Sequence, residues 1–383
     1  MSSERDFRTH AVSMYDELTD GRKKFLRVDE LCYRAAERFP GLLPTESDLA
    51  AEAPRLQKDK RGVEIAQGLF LSAVLADPAA GSHLCHAMLL PMPDSAARAA
   101  EFEQKGSLDL GGARVDRDGK AAIVTMNNPR FLNAEDESTL EPLEQAIDVA
   151  LLDRKSEICV LRGGTVTHTR HAGKRLFGAG INLTHLYQGK IRYLWYIVRD
   201  LGLVNKLYRG LAKPEVSPEV DSIEKLWIGA VEGFAIGGHC QTVLTLDYVL
   251  ALRHAYMTLP ARKEGIIPGA ANLRLTRFIG ARMARQAVMA ERRIDCASPE
   301  GQLIVDELVD DMDAALRSTV EKLTGSGVVS AAGNRRAFRI SEEPLDSFRR
   351  YMSVYAREQA HCHFSPALIA NLERNWNAAS RRA

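Results

Sequence analysis

GFAIGGHCQTVL, residues 233–244, joins the end of an apolar strand to the start of a helix through the glycine pair Gly237–Gly238. Backbone N–H groups at a helix start favour a nearby negative charge, so this turn is suited to stabilise an anion that develops during a reaction. Three residues after the second glycine stands Gln241, whose amide cannot transfer a proton at neutral pH. The stretch therefore predicts an anion-stabilising turn that lacks a general base. The alternative is that the glycines serve only close packing of the strand on the helix.

Strands and helices alternate on both sides of this stretch. RVDR, a DG turn at 118–119 and AAIVTM predict a hairpin, and ICVLRG (158–163), LWIGAVEG (226–233) and YVLALR (248–253) predict buried strands. Helical patterns stand between them, in ESTLEPLEQAIDVALLD and in GGHCQTVLTLD. This spacing predicts an α/β protein in which β-β-α or β-α units build a largely buried sheet over residues 106–280.

Helical sequence flanks this core at both ends. Residues 1–105 are dense in Ala, Leu, Glu and Arg, and Pro40, Pro44 and Pro54 divide them into separate helices. Residues 281–383 carry further helical patterns, such as SFRRYMSVYAREQAHCHF. The chain is therefore predicted to have a helical N-terminal domain (1–105), a mixed core (106–280) and a helical C-terminal region (281–383).

Composition excludes some classes of partner. Among 383 residues, 51 basic side chains face 50 acidic ones, so the net charge of +1 gives no reason to expect nucleic acid. The N-terminus has no apolar signal region, and the apolar run GLFLSAVLA (68–76) has about half the length of a membrane span. The six cysteines form no CxxC pair, which is typical of reduced thiols. We expect a cytoplasmic protein with no membrane segment.

Five segments occur in the order that one enzyme family uses: AAIVTMNNPRFLNA, ICVLRGG, FGAGINL, LWIGAVEGFAIGGHCQTVLTLDYVLA and LPARKEGIIPGAANLRLTRFIG. Together they resemble the crotonase (enoyl-CoA hydratase/isomerase) superfamily. The resemblance implies a crotonase-like ββα spiral core and an acyl-CoA thioester as substrate. It also implies a homo-oligomer, a trimer or hexamer, to which the C-terminal helical region contributes as a trimerisation or cap segment.

The resemblance places two backbone donors around the thioester oxygen, the N–H of Ile181 and the N–H of Gly238, which would open a helix through Gln241–Leu246. Removing a proton beside a thioester carbonyl puts negative charge on its oxygen. Losing one fixed donor to such an oxyanion typically costs on the order of 3 kcal/mol. The second donor segment favours an oxyanion hole over a purely structural glycine turn.

The sequence departs from the family pattern at two positions. Hydratases of the family carry two glutamates for acid/base work on water, and here these positions are Gln241 and Ala261. Ordinary hydration is therefore not expected. Glu264 is a candidate substitute, although a solvated glutamate in the RKEG loop is the favoured interpretation.

FGAGINLTHLYQGKI, RYLWYIVRDLG, FAIGGHCQ and LPARKEGIIPGAANLRL together are similar to one branch of the superfamily. This branch contains cofactor-independent dioxygenases of glycopeptide-antibiotic biosynthesis, which act on 3,5-dihydroxyphenylacetyl-CoA. The resemblance implies that O2 and the thioester react to give an arylglyoxylate and free CoA with no metal or flavin cofactor. Two alternatives stay open: another enolate chemistry (thioesterase, decarboxylase or isomerase), and a non-catalytic acyl-CoA-binding subunit.

The resemblance also assigns roles to side chains. Glu135, Arg199 and Gln241 would contact the ring hydroxyls, with Gly237 beside the substrate and His168 near the thioester. The alternatives are a helix N-terminal acid for Glu135 and a surface ion pair with Asp200 for Arg199. The histidine clusters lack the spacing of a metal site, so no metal is predicted.

Two further sets of residues complete the prediction. An apolar pocket for O2 would be lined by Ile181, Leu183, Ile266 and Ala367, which would otherwise be ordinary core residues. Cations for the CoA phosphates would come from Arg170, Lys174 and Arg175, for which a solvated basic loop is an equal alternative.

Overall fold

The N-terminal region is helical from its start. The computed structural model describes residues 4–325 and 327–381. Its first six α-helices are α1 (Glu4–Leu18), α2 (Val28–Arg38), α3 (Glu46–Glu52), α4 (Ile65–Ala76), α5 (Pro78–Leu89) and α6 (Ser95–Lys105). Helix α6 ends at Gly106, whose φ of 70° is the left-handed conformation that glycine adopts without strain. The sheet begins directly after this residue.

Twelve β-strands follow in the described chain. They are β1 (Ser107–Asp109), β2 (Ala113–Asp118), β3 (Ala121–Met126), β4 (Ile158–Gly163), β5 (Leu211–Ala212), β6 (Ser222–Ile223), β7 (Trp227–Val231), β8 (Phe234–Ile236), β9 (Tyr248–Leu252), β10 (Tyr256–Thr258), β11 (Ile294–Asp295) and β12 (Glu307–Val309). The main sheet has the order β1-β2-β3-β4-β7-β9-β12, and β11-β10-β8 form a second sheet. From β3 to β12 the main sheet is parallel, which requires crossovers between its strands.

Helices supply those crossovers and the C-terminal region. They are α7 (Glu137–Leu152), α8 (Leu183–Tyr187), α9 (Tyr193–Val198), α10 (Asn205–Arg209), α11 (Gly238–Val243), α12 (Ala261–Glu264), α13 (Ala271–Met289), α14 (Met312–Leu323), α15 (Val328–Glu342), α16 (Leu345–His363) and α17 (Pro366–Trp376). Between α9 and α10 the chain makes a π-helical turn, Arg199–Val204, a rare conformation that often occurs at functional sites.

The predicted α/β class and ββα core are confirmed. Each strand predicted from an apolar run forms. The residues of these strands are mostly buried, as is typical of a parallel sheet covered on both faces. One boundary is wrong: the helix predicted to reach Leu246 ends at Val243. Asp247, just beyond, accepts a hydrogen bond from the Trp227 N–H (2.8 Å) at the start of the neighbouring strand.

The flanking helices share one hydrophobic core with the sheet. That core runs from Phe7 in α1 through the central strands to Leu372 in α17. Helices α4 and α16 lie so close that a Cβ on Gly68 would be 2.5 Å from the Ala360 Cβ. Any residue other than glycine at position 68 would therefore clash with α16. The domain boundaries near 105 and 280 stay predictions.

Two further observations concern the whole described chain. None of its helices combines the length and apolar character needed to cross a bilayer. The six cysteines are free thiols, five of them buried and Cys362 partly exposed.

Candidate active site

The glycine turn of the opening stretch lies between β8 and α11. Gly237 has φ 54° and ψ −117°, a conformation open to glycine, and Gly238 is the first residue of α11. The N–H groups of a first helical turn have no partner within the helix. The Gly238 N–H is therefore a donor held at a fixed place by the strand and the helix.

The second predicted donor lies on the loop that runs beside this turn. Glu135 holds the loop from one side, because its N–H donates to Gly180 O (2.7 Å) and its C=O accepts from the Asn182 N–H (2.8 Å). In this parallel bridge the N–H of Ile181 points away from Glu135. A Cβ on Gly180 would lie 3.2 Å from Gly238 N, so the loop abuts the glycine turn. The geometry fits an oxyanion hole formed by Ile181 and Gly238.

His239 supports this loop from behind. Its ring is fully buried, and Nδ1 accepts a hydrogen bond from the Gly180 N–H (2.9 Å). Burial lowers its pKa to about 4, so the ring is neutral and its proton is on Nε2. A Cβ on Gly178 would lie within 2.5 Å of the ring, which explains the glycine there. His239 thus holds the loop that carries Ile181 in place from the side away from the cavity.

A narrow cavity opens in front of the two donors. About 30 Å³ of it is free, room for about one water molecule. The wall contains Glu135, Ile181, Trp195, Tyr196, Arg199, Asp200, Gly237, Gly238, Gln241, Leu259, Pro260, Ala261, Glu264, Ile266, Ile267, Pro268, Gly269 and Tyr355. Of the residues singled out in the sequence, the structure brings together around this cavity Glu135, Ile181, Arg199, Gly237, Gly238, Gln241 and Ile266.

Four polar side chains form a network on one side of the cavity. Arg199 donates from Nε to Glu135 (2.9 Å) and from Nη1 to Asp200 (3.2 Å) and to Gln241 Oε1 (2.5 Å). The amide of Gln241 in turn donates to Asp200 Oδ1 (2.5 Å). All four side chains are buried, so the interpretation of Arg199 as part of a surface ion pair is wrong.

Arg199 acts differently on the two carboxylates. Burial raises the pKa of Glu135, but the Arg199 charge opposes it and the pKa ends below its ordinary value. For Asp200 burial prevails over the same charge, and the pKa is raised. Glu135 precedes the N-cap residue Asp136 of α7, so it is not part of that helix start. Its Oε2 is buried and has no hydrogen-bond partner in the described structure.

Comparison with known proteins identifies the family of this chain. The enoyl-CoA hydratase/isomerase family model matches residues 116–328. The chain belongs to the enoyl-CoA hydratase/isomerase family. The (3,5-dihydroxyphenyl)acetyl-CoA 1,2-dioxygenase of Amycolatopsis orientalis is 45% identical over 354 residues, which cover 92% of this chain and 81% of that protein.

More distant relatives match a smaller share of the chain. The short-chain-enoyl-CoA hydratase of Clostridium acetobutylicum is 25% identical over 225 residues, 58% of this chain and 78% of that protein. The crystal structure of an enoyl-CoA hydratase from Bacillus halodurans has a TM-score of 0.56 at 16% identity, and it covers 69% of this chain and 100% of its own. A hydratase from Mycobacterium avium subsp. paratuberculosis gives 0.57 at 19%, covering 69% and 98%. These two likenesses show the fold.

The sequence did not reveal that Glu264 lies on the cavity wall. The residue was interpreted as solvated, but its side chain is buried and lines the cavity. Residues 261 and 264 are three apart on the one-turn helix α12, so they share the face that meets the cavity, while Arg262 and Lys263 are exposed. The apolar Ala261 was the signal that could have placed Glu264 inside. Asp200 and Tyr355 were also missed.

Other predicted residues lie outside this cavity. Leu183 is partly buried beside the core, and Ala367 is exposed in α17, so the structure does not place them on an O2 pocket with Ile181 and Ile266. His168 is half-buried, with its ring centre 6.3 Å from that of His171. The exposed side chains Arg170, Lys174 and Arg175 follow His168 on the same loop.

Metal ligands form no obvious group in the described part of the chain. No set of three or more His, Cys, Asp or Glu side chains there is arranged to hold a metal ion.

Proposed function

We propose that this protein is a dioxygenase that converts 3,5-dihydroxyphenylacetyl-CoA and O2 into 3,5-dihydroxyphenylglyoxylate and free CoA, with no metal or flavin. The observation that carries the proposal is the likeness over nearly the whole chain, flanking helices included, to the Amycolatopsis orientalis dioxygenase. The site adds chemical support, because it pairs an oxyanion hole with a polar network and lacks the family's two water-activating glutamates.

The oxyanion hole serves the first step. An arylacetyl thioester loses an α proton to give an enolate, and the N–H groups of Ile181 and Gly238 would stabilise its oxygen. His239 holds the Gly180 N–H and so fixes the Ile181 end of this pair. Because these donors are fixed before the substrate arrives, they need no reorganisation during the reaction.

The polar network suits a dihydroxyphenyl ring. Glu135 Oε2 is a buried acceptor without a partner, and Arg199 and Gln241 place donors and an acceptor beside it. A ring hydroxyl that donates to Glu135 would satisfy an atom that is costly to leave unpaired. The free cavity is smaller than an aryl ring, so side chains of its wall must move when the ring binds.

The substrate itself would reduce O2. The electron-rich carbanion passes one electron to O2, and the two radicals recombine as a peroxide on the α carbon. The peroxide attacks the thioester carbon and expels CoA thiolate, and loss of the second α proton with O–O cleavage leaves the α-keto acid. Ile181 and Ile266 offer apolar contacts for O2 in the cavity. Gln241 and Ala261 provide no acid or base for water.

Two surface regions are assigned roles as well, the basic loop at 170–175 and helix α15. Arg170, Lys174 and Arg175 would bind the CoA phosphates from their exposed loop. A homo-oligomer is supported by the exposed apolar side chains Val329 and Phe338 on α15, since surface apolar groups on one element are typical of interfaces. Light scattering after size-exclusion chromatography measures the mass of the oligomer in solution.

An oxygen electrode tests the reaction. Protein treated with chelator and freed of flavin is mixed with 3,5-dihydroxyphenylacetyl-CoA, and free thiol is counted beside O2 consumed. We expect one O2 for each thiol released, and no thiol release under argon. Equal thiol release with and without O2 would instead indicate a thioesterase, and loss of uptake after chelation would contradict cofactor independence. Phenylacetyl-CoA is the matched substrate that lacks both ring hydroxyls.

A further inference from the structure

Glu264 faces the reacting end of the cavity. It is the last residue of the one-turn helix α12, and its side chain is 8% exposed. Its Oε2 lies 3.9 Å from the place that a Cβ on Gly237 would occupy. Gly237 directly precedes the Gly238 N–H, so the carboxyl lies next to the peptide that would hold the thioester oxygen.

Within the described part of the chain the Glu264 carboxyl has no partner, and its pKa is shifted by burial rather than by a neighbouring charge. Among residues 4–325 and 327–381, no side chain or backbone group makes a hydrogen bond or ion pair with it. Its neighbours Arg262 and Lys263 point outward and pair with Glu291 instead (3.3 and 2.8 Å). The carboxyl instead faces the cavity, where a bound ligand would be its first polar partner.

The two other carboxylates of the cavity are already engaged. Glu135 binds Arg199 through Oε1, and Asp200 binds both Arg199 and Gln241 through Oδ1. Arg199 leaves the pKa of Glu135 below its ordinary value, and although burial raises the pKa of Asp200, Arg199 and Gln241 already bind that carboxylate. Glu264 has no such partner.

We propose that Glu264 is the catalytic residue that removes the α proton of the bound thioester, an inference that rests on the proposed function. The α carbon is one bond from the thioester carbonyl carbon, whose oxygen the Gly238 N–H holds, so the proton comes within reach of a carboxyl beside that turn. The C–H bond breaks, its electron pair forms the enolate double bond, and the carbonyl pair moves onto oxygen. The proton goes to a Glu264 oxygen, which can later return it to the CoA thiolate.

Burial is consistent with this role. It raises the pKa of Glu264 to about 8, because the charged form loses water and gains no positive neighbour. The carboxylate is then a stronger base than an exposed glutamate, and a pKa near the working pH is the range that favours general-base catalysis.

Anaerobic exchange tests the proposal apart from the oxygen chemistry. The probe is 3,5-dihydroxyphenylacetyl-CoA with deuterium at both α positions, and mass spectrometry follows loss of deuterium to water under argon. We expect Glu264→Gln to slow both this exchange and aerobic O2 uptake at least about a hundredfold. Glu264→Asp, which keeps a shorter carboxyl, should recover part of both rates.

Arg262→Gln is the matched control, since it alters an exposed neighbour on the same helix and should keep wild-type rates. The proposal is overturned if Glu264→Gln retains more than a tenth of the wild-type exchange rate or O2 uptake while binding a carbonyl-free thioether analogue normally. If the wild type exchanges deuterium in a Glu264-dependent way but consumes no O2, the dioxygenase proposal fails and the role of Glu264 stands.

Discussion

On one side of the cavity Arg199 binds Glu135, Asp200 and Gln241 and leaves Glu135 Oε2 free to accept from a ligand, while on the other side the Glu264 carboxyl has no hydrogen bond or ion pair among the described residues. Both sides are buried, so burial alone does not distinguish them. Carboxylates held by an arginine keep fixed positions and suit recognition of a ring, whereas an acid with no cation beside it suits proton transfer. The comparison predicts that changes on the two sides have opposite effects on stability.

The largest effect is expected for Arg199→Met. The change leaves Glu135 and Asp200 buried without their cation, which typically costs roughly 3–5 kcal/mol in the free energy of unfolding. Chemical denaturation measures it. Arg192→Gln is the control, because that arginine pairs with Glu137 (2.7 Å) at the surface and should cost about 1 kcal/mol or less. Equal stability of the two variants would contradict the idea that Arg199 neutralises the buried carboxylates.

The change Glu264→Gln should have the opposite sign. Because the folded pKa is about 8 rather than the ordinary 4.5, the protein prefers the protonated acid, and its contribution to stability is lost as pH rises from about 4.5 through 8. The variant should match the wild type near pH 4.5 and be more stable above pH 8. The gain in free energy of unfolding is roughly 1.4 kcal/mol for each pH unit that separates the folded pKa from the unfolded one.

Chemical denaturation of the wild type and of Glu264→Gln across this pH range measures the difference in free energy of unfolding. Groups that titrate in the same way in both proteins cancel in this difference. The groups that share the cavity with Glu264 are Tyr196, Tyr355 and the Arg199 network, and burial raises the pKa of both tyrosines so that they stay neutral. The exposed change Glu37→Gln should give no such pH-dependent gain. A flat difference would place Glu264 in water rather than in the cavity wall.

A smaller effect is expected for Gln241→Glu. The new carboxylate would stand beside Asp200, where the amide now donates a hydrogen bond, so like charges meet in a buried place. We expect O2 uptake to fall about tenfold, equivalent to roughly 1.4 kcal/mol in the barrier, and no efficient hydration of crotonyl-CoA. Gln302→Glu, an exposed change, is the control. Strong hydratase activity of the variant would mean that one glutamate restores the family's ordinary chemistry.

Because His239 lines neither side of the cavity, the smallest effect is expected for His239→Ala. It removes the acceptor of the Gly180 N–H and loosens the loop that carries Ile181. We expect kcat to fall severalfold, less than the about tenfold loss for Gln241→Glu and far less than the roughly hundredfold typical of deleting an oxyanion donor, and KM to change little. The exposed change His254→Ala should keep both constants. A change in KM alone would indicate a role in binding rather than in positioning the donor.

The sequence predicts the frame of this site well. Strand β4 follows from its continuous apolar run, which is typical of a buried strand. The turn follows from the glycine pair 237–238, since Gly237 adopts a positive φ there. Arg199 and Glu135 were placed on the cavity by family resemblance. Their mutual hydrogen bond was not foreseen, because it joins residues 64 positions apart.

The sequence misleads at two short elements, the one-turn helix α12 and the π-helical turn. RKEG looks solvated because two of its charges are exposed, yet the third turns inward behind Ala261. Asp200 looks like the surface partner of Arg199, but the π-helical turn carries both side chains into the interior. Short helices and rare turns leave too little periodicity to reveal which face is buried.

The close contact of α4 with α16 has a consequence for how the protein is built. Tyr355, on the same helix that packs against Gly68, forms part of the cavity wall. The N-terminal helices thus support this wall from outside, and a shortened protein holding only residues 116–328, which the family model matches, would lack α16 and Tyr355 itself. We expect the flanking helices and the sheet to unfold in a single transition, because they share one hydrophobic core.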